Sequence, residues 1–342
     1  MSNCIIIAGS HRSGTSMTAK YLSESGVFLG EQLLGGNSSN PHGHYEDVEV
    51  IRLHDRLLRH NSVRWDVDHR IVPQVTDQIF NGMAELVERR NINYPLWGFK
   101  DPRICQFLPL WKSVLPDSKV LIVFRDPVAC SGSLLRRHVI DAVRNPAHKF
   151  KPFFEQPDLA LKIWNVSNEA LADFADAFPK NVLVVSFRSI RASFPLGEEM
   201  NRRWGLEMKL ANMANIHDSE LGQGAGNILR VSDPATAKRT HDVWNRLVKL
   251  EEKTLLSSKV PPADHPSMRL ISAPDAGQLM MEADLLRFEN EYLRKNNSGS
   301  NKPGQLEDLK YVLTKANKFP YSLFFGRKSH IRALSKKYGI HD

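Results

Sequence analysis

Short apolar runs alternate along the chain with longer segments in which apolar residues recur every three to four positions. The short runs fall at residues 5–7, 97–100, 120–124 and 182–187, and the helical patterns after them at residues 13–25, 103–115, 128–140 and 190–204. The runs are continuously apolar rather than alternating, which is typical of strands covered on both faces. This order predicts an α/β fold of three layers, in which a central parallel sheet lies between helices.

After residue 204 the pattern predicts helices only, at residues 237–256 and 278–293, separated by a Pro-rich stretch at 260–266. Residues 296–304 contain no apolar side chain to bury and are predicted to form a linker. We therefore expect a main domain over residues 1–295, with an α/β core of about residues 1–205 and helical additions over about residues 206–295. Beyond the linker lies a basic C-terminal segment, residues 305–342.

Composition and charge narrow the possible classes of protein. The 342 residues are 42% hydrophobic and 25% charged, as in a globular protein, and the net charge is +8. Residues 301–342 hold nine basic and three acidic residues and so supply +6 of that charge, which leaves the body nearly neutral. A broad nucleic-acid surface is therefore not expected. The basic tail, which mixes apolar and cationic residues, could contact an anionic membrane surface or a partner protein, or fold back on the domain.

Compartment and metal content are predicted from what the sequence lacks. No apolar run approaches the roughly 20 residues of a membrane-spanning helix, and the first residues show no secretory signal pattern, so we expect a cytoplasmic protein. Three cysteines, Cys4, Cys105 and Cys130, are too few for a disulfide framework and match no metal-binding spacing. They are predicted to be small buried thiols in a reducing compartment, and no metal site is expected.

The first strand runs directly into the sequence GSHRSGTS at residues 9–16, after which a helical apolar face begins. A strand, a Gly-rich turn and a helix form a phosphate cradle, because backbone N–H groups and the helix dipole both point at the anion. The two glycines have the spacing of a P-loop, but Thr15 stands where nucleotide triphosphatases have Lys. The cation of this loop is Arg12 instead. A P-loop NTPase-like fold is indicated, although an ordinary ATPase or kinase is disfavoured.

This loop resembles that of the sulfotransferases that use 3′-phosphoadenosine 5′-phosphosulfate (PAPS), in which Lys or Arg precedes Ser-Gly-Thr. The resemblance implies that Arg12 contacts the sulfonate and its bridging oxygen. It also implies that the neighbouring loop residues bind the 5′-phosphosulfate of PAPS, which needs no metal. These residues are His11, Ser13, Gly14, Thr15 and Ser16.

A second motif strengthens the resemblance. The apolar run 120–124 delivers Arg125, Asp126-Pro127 then opens a helix, and Ser133 follows eight residues after the arginine. In the sulfotransferases an Arg and a Ser at these positions hold the 3′-phosphate of PAPS. A planar guanidinium and a hydroxyl suit a phosphate group chemically. The resemblance, which extends over about residues 1–205, therefore implies that Arg125 and Ser133 bind the cofactor.

The acceptor side is predicted from two further segments. Residues 40–47, NPHGHYED, resemble a stretch of bacterial sulfotransferases near which related families place a catalytic Glu, so Glu46 is predicted to be the general base, with Asp47 and His44 as alternatives. Lys100, at the end of the predicted strand at residues 97–100, resembles a Lys that assists the sulfonate or the base.

Four side chains are candidates to contact the acceptor. They are His44, Trp65, Asp101 and Arg103. The sequence thus predicts a PAPS-dependent sulfotransferase that modifies a hydroxyl or amine. We expect the acceptor to be a glycan, a lipid-linked sugar or a small metabolite. Two alternatives stay open: a P-loop nucleotide or nucleoside kinase, and a non-catalytic scaffold that keeps the nucleotide site.

Overall fold

The secondary structure follows the predicted alternation of strands and helices. The computed structural model describes residues 3–35, 43–144, 152–156, 158–213, 228–258, 260, 265 and 269–272, which all lie within one compact unit, residues 1–288. Its elements are, in chain order, β1 (Asn3–Ala8), α1 (Thr15–Glu24), α2 (Val48–His60), α3 (Asp77–Asn93), β2 (Leu96–Lys100), a 3₁₀ helix (Pro102–Gln106), α4 (Leu108–Val114), β3 (Lys119–Phe124), α5 (Pro127–Arg144), α6 (Pro152–Glu155), α7 (Leu159–Ala177), β4 (Val182–Ser186), α8 (Phe187–Arg191), α9 (Leu196–Trp204), β5 (Ile228–Val231), α10 (Pro234–Ser258) and β6 (Arg269–Ser272).

The predicted α/β fold class is confirmed. Strands β1 to β4 form a parallel sheet in the order β2-β1-β3-β4, with helices on both faces, and the Gly-rich loop connects the central strand β1 to α1 as in P-loop folds. Two predicted helices are each broken into two. Residues 103–115 form the 3₁₀ helix and α4, and residues 190–204 contribute to α8 and α9, between which Pro195 caps the second helix.

The prediction that strands end at residue 204 is wrong. Strands β5 and β6 pair in parallel with each other as a separate two-stranded sheet. Each strand has only four residues, and the two strands lie about 40 positions apart in sequence, so no local pattern predicts them. The predicted helix at 278–293, the linker and the basic tail lie outside the described residues.

Alternate residues of each strand belong to two separate apolar clusters, one on each face of the sheet. In β3, Val120 and Ile122 face one cluster, whereas Leu121 and Val123 face the other. The first cluster packs mainly against α2, α3, α7 and α10, and the second against α1, α8 and α9. Burial on both faces explains why these strands are continuously apolar.

The sheet topology decides where a ligand can bind. After β1 the chain crosses to β2 on one side, and after β3 it crosses to β4 on the other, so the strand order reverses between β1 and β3. In open parallel sheets, ligands bind in the crevice beyond the carboxyl ends of the strands at such a reversal. The Gly-rich loop follows β1 and Arg125 follows β3, which places both motifs at this crevice.

The three cysteines and the lengths of the described helices agree with this description of the fold. Cys4, Cys105 and Cys130 are buried free thiols, as predicted. Among the helices of the described ranges, none combines the length and the apolar character needed to cross a bilayer. Within the same part of the chain, no group of three or more His, Cys, Asp or Glu side chains is arranged to hold a metal ion.

Candidate active site

Two glycines let the loop between β1 and α1 pass close to its neighbours. A Cβ atom on Gly9 would lie 2.4 Å from the backbone oxygen of Val123, and one on Gly14 would lie 2.2 Å from the ring of Phe187. Gly14 also has a φ of 92°, in the left-handed region that other residues rarely adopt. No side chain caps α1, so its first N–H groups are left to bind an anion.

The loop turns sharply at Arg12, which has a φ of 69°. Non-glycine residues in this region are uncommon and recur at functional sites. The turn is closed by the Ser13 N–H, which donates to the Ser10 oxygen at 3.2 Å, and by the two serine hydroxyls, which lie 2.7 Å apart. Arg12 then reaches across to α5, where its Nε donates to Ser133 Oγ at 2.9 Å.

The two motifs predicted to bind phosphate meet in space, although they are more than 110 residues apart in sequence. Arg125 Nη1 donates to the Arg12 carbonyl oxygen at 3.3 Å, and its guanidinium lies 5.1 Å from the ring centroid of Phe187. Its own carbonyl oxygen accepts a hydrogen bond from Trp164 Nε1 at 3.1 Å, which holds this strand end against α7. The structure therefore brings Arg12, Arg125 and Ser133 into one cluster.

The cluster is electropositive and suited to an anion. Burial, followed by the charges of Arg137 and Arg125, lowers the pKa of Arg12 to about 10, so it remains a cation at neutral pH. Within the described residues, no carboxylate lies within ion-pair distance of Arg12 or Arg125. Guanidinium groups that are partly withdrawn from water are normally paired with anions, so this arrangement can bind an anionic ligand.

Arg137 belongs to the same region, and the sequence analysis did not assign it a role. It lies four residues after Ser133 on α5, and therefore on the same helix face one turn further on. Its positive charge lowers the pKa of Arg12, His11 and His44. The spacing from Ser133 is the sequence signal that could have identified it.

Lys100 and Glu46 form a nearly buried ion pair at the end of β2. The Lys100 ammonium donates to Glu46 Oε1 at 2.6 Å, to the His44 carbonyl oxygen at 3.0 Å and to Ser16 Oγ at 3.1 Å. Lys100 is 2% exposed and Glu46 9%. Ser16, in the first turn of α1, in turn donates to the His44 oxygen at 3.3 Å. The predicted base and the predicted sulfonate lysine are thus joined directly to the phosphate loop, while Thr15 is buried beneath it.

His44 lies in a strained segment beside this pair. Its neighbours Gly43 and Tyr45 have φ values of 88° and 53°, and the His44 N–H donates to the Leu34 oxygen at 3.2 Å. Its Nε2 is buried and has no hydrogen-bond partner in the part of the chain that the structure describes. Burial, followed by the charges of Lys100 and Arg137, lowers the pKa of His44 from 6.5 to about 4, so the ring is neutral at pH 7.

This shift predicts an acid-sensitive fold. Between pH 6.5 and about 4 the unfolded chain binds a proton at His44 that the folded chain does not, so the free energy of unfolding should fall as the pH is lowered through this range. Urea unfolding at pH 7.5 and pH 5 measures the effect. The loss should be smaller in His44→Gln and unchanged in the matched variant His60→Gln, which alters an exposed histidine. An identical loss in both variants would assign the acid sensitivity to other groups.

Asp47, the other carboxylate proposed as a base, is held by structural contacts. Its Oδ1 accepts from the Glu49 N–H at 2.9 Å and caps α2, and its Oδ2 accepts from Arg90 Nη2 at 3.0 Å. Burial is the main cause that raises its pKa. The geometry therefore places Glu46 and His44 beside Lys100, and Asp47 at the start of α2.

Asp101 follows Lys100 and is 0% exposed. It accepts hydrogen bonds from the backbone and the guanidinium of Arg103 and from His54 Nδ1 at 2.8 Å. His54 Nε2 accepts from Trp111 Nε1 at 2.8 Å, so the imidazole is the neutral Nδ1–H tautomer. Burial favours the neutral acid, but His54 and Arg103 outweigh it and hold the pKa of Asp101 below its usual range. The Asp101 carboxylate is thus occupied internally, whereas Arg103, which also binds Asp55, lines a cavity.

His11 and Trp65 line that same cavity. Although His11 belongs to the phosphate loop, its imidazole contacts Trp65 edge-on, with ring centroids 4.8 Å apart. Burial, opposed in part by Asp101, lowers the pKa of His11 to about 3. Of the four candidates for acceptor contact, Trp65 and Arg103 therefore share one cavity, His44 lies beside Glu46, and Asp101 lies beneath Arg103.

Comparisons with known proteins were made for sequence and for structure. Residues 4–194, more than half of the chain, match the model of the "Sulfotransferase family". No curated protein sequence shows significant similarity to the chain. Similar solved structures include the sulfotransferase domain from the curacin biosynthetic pathway, with 13% identity, a TM-score of 0.38, and coverage of 77% of this chain and 99% of that one.

Two further structures were found in this comparison. A sulfotransferase from Mycobacterium tuberculosis H37Rv has 16% identity and a TM-score of 0.37, over 72% of this chain and 76% of that one. A retinol dehydratase in complex with androsterone and the inactive cofactor PAP has 12% identity and a TM-score of 0.30, over 87% and 82% of the two chains.

Proposed function

Because this chain belongs to the sulfotransferase family, we propose that it transfers a sulfonate group from PAPS to a hydroxyl group of an acceptor. The observation that carries the proposal is the cluster of Arg12, Arg125 and Ser133 at the reversal of the strand order. Among the described residues neither guanidinium is ion-paired with a carboxylate, and the Asp126 side chain that follows Arg125 accepts a hydrogen bond from the Ala129 N–H instead. Two such guanidinium groups next to an uncapped helix N-terminus form a site for a ligand with several anionic groups.

The residues of the site divide between the two anionic ends of PAPS. Arg12 and the backbone N–H groups of residues 13–16 bind the 5′-phosphosulfate, and Arg125 with Ser133 binds the 3′-phosphate. When bound, PAPS supplies a sulfonate on a phosphate leaving group, so charge develops on oxygens that cations can stabilise. Arg12 and Lys100 provide this stabilisation, and no metal takes part.

Glu46 is the proposed general base, with His44 as the alternative. All three N–H donors of the Lys100 ammonium are used on Ser16, His44 and Glu46, so Lys100 must exchange one of these hydrogen bonds to contact a sulfonate oxygen. Release of Glu46 frees its Oε1 to accept a hydrogen bond from the acceptor hydroxyl. Glu46 then accepts the proton of the acceptor hydroxyl. His44 is neutral at pH 7 and could take that proton instead.

The acceptor is proposed to be a glycan, a lipid-linked sugar or a small metabolite, modified in the cytoplasm. The kinase alternative is disfavoured because the position of the Walker lysine is occupied by the buried side chain of Thr15. A non-catalytic scaffold would bind the nucleotide at the same site but would have no need of the Lys100–Glu46 pair. Ligand binding distinguishes the sulfotransferase from the kinase directly.

Calorimetric titration with 3′-phosphoadenosine 5′-phosphate (PAP) tests the proposal. PAP should bind without metal and more tightly than magnesium ATP. In Arg125→Ala its affinity should fall by about 10- to 100-fold, since a hydrogen bond to a charged group contributes about 1.5–3 kcal/mol. Arg52→Ala, which changes an exposed arginine of α2, should bind PAP as the unmodified chain does. Preferential binding of magnesium ATP would replace the proposal by a kinase, and PAP binding without turnover of any acceptor would favour the scaffold.

A further inference from the structure

The side chain of Phe187 contacts both of the motifs predicted to bind phosphate. Phe187 is the first residue of α8 and directly follows β4, just as Arg125 directly follows β3. In the parallel register of these two strands Phe124 pairs with Ser186, so Arg125 and Phe187 leave the sheet side by side at the same edge. Phe187 is 8% exposed and its side chain has no polar atom, so it can act on the site only through its ring.

The ring makes two different contacts. One edge lies against the Gly-rich loop, because a Cβ atom on Gly14 would be 2.2 Å from Phe187 Cδ2 and 2.5 Å from its Cε2. The Arg125 guanidinium lies over the ring, 5.1 Å from its centroid. This distance is within the roughly 6 Å at which a cation is attracted to an aromatic face. One ring therefore supports the loop on one side and the cation of the second motif on the other.

The backbone that carries this ring is fixed by α10. The N–H of Ser186 donates at 2.6 Å to Glu251, a fully buried carboxylate of α10 that also lies 2.7 Å from His265 Nε2. Burial opposes the charged form of Glu251, but its hydrogen bonds outweigh burial and lower its pKa. Ser186 Oγ in turn accepts from the Ser189 N–H at 3.0 Å and caps α8. The chain is thus held on both sides of Phe187 before a ligand binds.

A guanidinium that binds phosphate through two N–H groups must be held in one orientation. Among the described residues the Arg125 side chain makes a single hydrogen bond, from Nη1 to the Arg12 carbonyl oxygen at 3.3 Å. An aromatic face restrains the guanidinium plane without using any N–H donor, whereas a carboxylate would use two. The contact with Phe187 therefore orients Arg125 and leaves its donors for an anion.

We propose that Phe187 is a positioning residue for the cofactor, and that its ring holds the Arg125 guanidinium in the orientation that binds the 3′-phosphate of PAPS. The inference rests on the proposed function, in which Arg125 binds that phosphate. It has a selective consequence. Removal of the ring weakens ligands that carry a 3′-phosphate and leaves the affinity for ligands without one unchanged.

Calorimetry with PAP and adenosine 5′-phosphate (AMP), which differ only in the 3′-phosphate, tests this inference. In Phe187→Leu the affinity for PAP should fall by about 3- to 10-fold, as expected for loss of one partly desolvated cation–π contact, while that for AMP changes by less than 2-fold. Phe187→Tyr keeps the aromatic face and should bind PAP within 2-fold of the unmodified chain. Phe194→Leu, which removes a buried ring from the same apolar cluster, should change neither affinity.

A double-mutant cycle shows whether the ring acts through Arg125. In the Arg125→Ala background, Phe187→Leu should cause no further loss of PAP affinity, because no guanidinium is left to orient. Additive losses, or equal losses for PAP and AMP, would overturn the inference and assign the ring to packing of the loop or to contact with the nucleoside. If urea unfolding shows that Phe187→Leu is not folded, Phe187→Met supplies a second side chain without a ring and must give the same selectivity.

The outcomes also separate this inference from the proposed function. If the unmodified chain does not bind PAP, the proposed function fails and the inference fails with it. If the unmodified chain and Phe187→Leu bind PAP equally well, the proposed function stands and only the role of Phe187 is refuted.

Discussion

Replacement of Arg12 by alanine is expected to lower kcat by about 100- to 1000-fold, the loss that typically follows removal of one group that stabilises the charge of a transition state. Arg12 is the only residue that joins the phosphate loop to Ser133 by a side-chain hydrogen bond within the described residues. Its pKa of about 10 keeps it positively charged over the working range of pH. The affinity for PAP, which carries no sulfonate, should fall by less than 10-fold. Steady-state kinetics and calorimetry measure the two effects.

Two further variants show whether the loss of kcat in Arg12→Ala comes from the missing charge or from backbone strain. Arg12 has a positive φ, so alanine there also carries backbone strain. Arg12→Lys keeps a cation under the same strain and should recover part of the lost kcat, though less than all of it, because lysine cannot reproduce the planar donor geometry of arginine. Arg56→Ala, at an exposed position of α2, should leave kcat unchanged. Full activity in Arg12→Ala would refute the mechanism.

Replacement of Asp101 by alanine is expected to destabilise the fold by about 3–5 kcal/mol, the usual result of breaking a buried ion pair by removing one partner. The carboxylate is fully buried, and its loss leaves the His54 Nδ1–H without its acceptor and the Arg103 guanidinium with Asp55 as its remaining ion-pair partner. Urea unfolding at pH 7 measures the difference. Asp117→Ala, which removes an exposed carboxylate, should cost little by comparison.

The effect of Asp101 should also depend on pH in a defined direction. Its pKa in the folded state lies below the usual value, so its stabilising contribution is complete above about pH 4 and is lost as the pH falls through the folded-state pKa. The difference in free energy of unfolding between the unmodified chain and Asp101→Ala should thus become smaller as the pH is lowered. A gap that stays constant down to pH 2, or a loss no larger than that of Asp117→Ala, would show that the network is not ion-paired.

Several features of the fold could be predicted from local sequence. The four strands of the main sheet are apolar on both faces, which makes them distinct from helices even in a single sequence. The phosphate loop was also recognisable, because Gly14 must adopt a left-handed conformation against Phe187, and only glycine satisfies both demands. Strands β5 and β6 escaped prediction because four-residue strands carry too little pattern to identify.

The chemistry of individual side chains was less predictable. The sequence around Asp101 does not distinguish a carboxylate that contacts a ligand from one that is buried in the fold. Its hydrogen bond with His54, 47 positions away, shows that this carboxylate is used inside the fold. Likewise Glu46 and Asp47 are adjacent in the chain, but the backbone is extended at Asp47 and adjacent side chains point to opposite sides, so one joins Lys100 and the other joins Arg90.

The sequence by itself determined the α/β architecture, the position of the Gly-rich loop and the residue types that we propose bind the two anionic ends of PAPS. These depend on short-range properties: hydrophobic periodicity, the conformational freedom of glycine, and the spacing of residues along one strand and one helix. Only the tertiary structure decided which charges are paired and which have no ion-pair partner among the described residues. Pairing and burial depend on distances between elements far apart in the chain, and a side chain's free energy in water or in the interior is set by those distances.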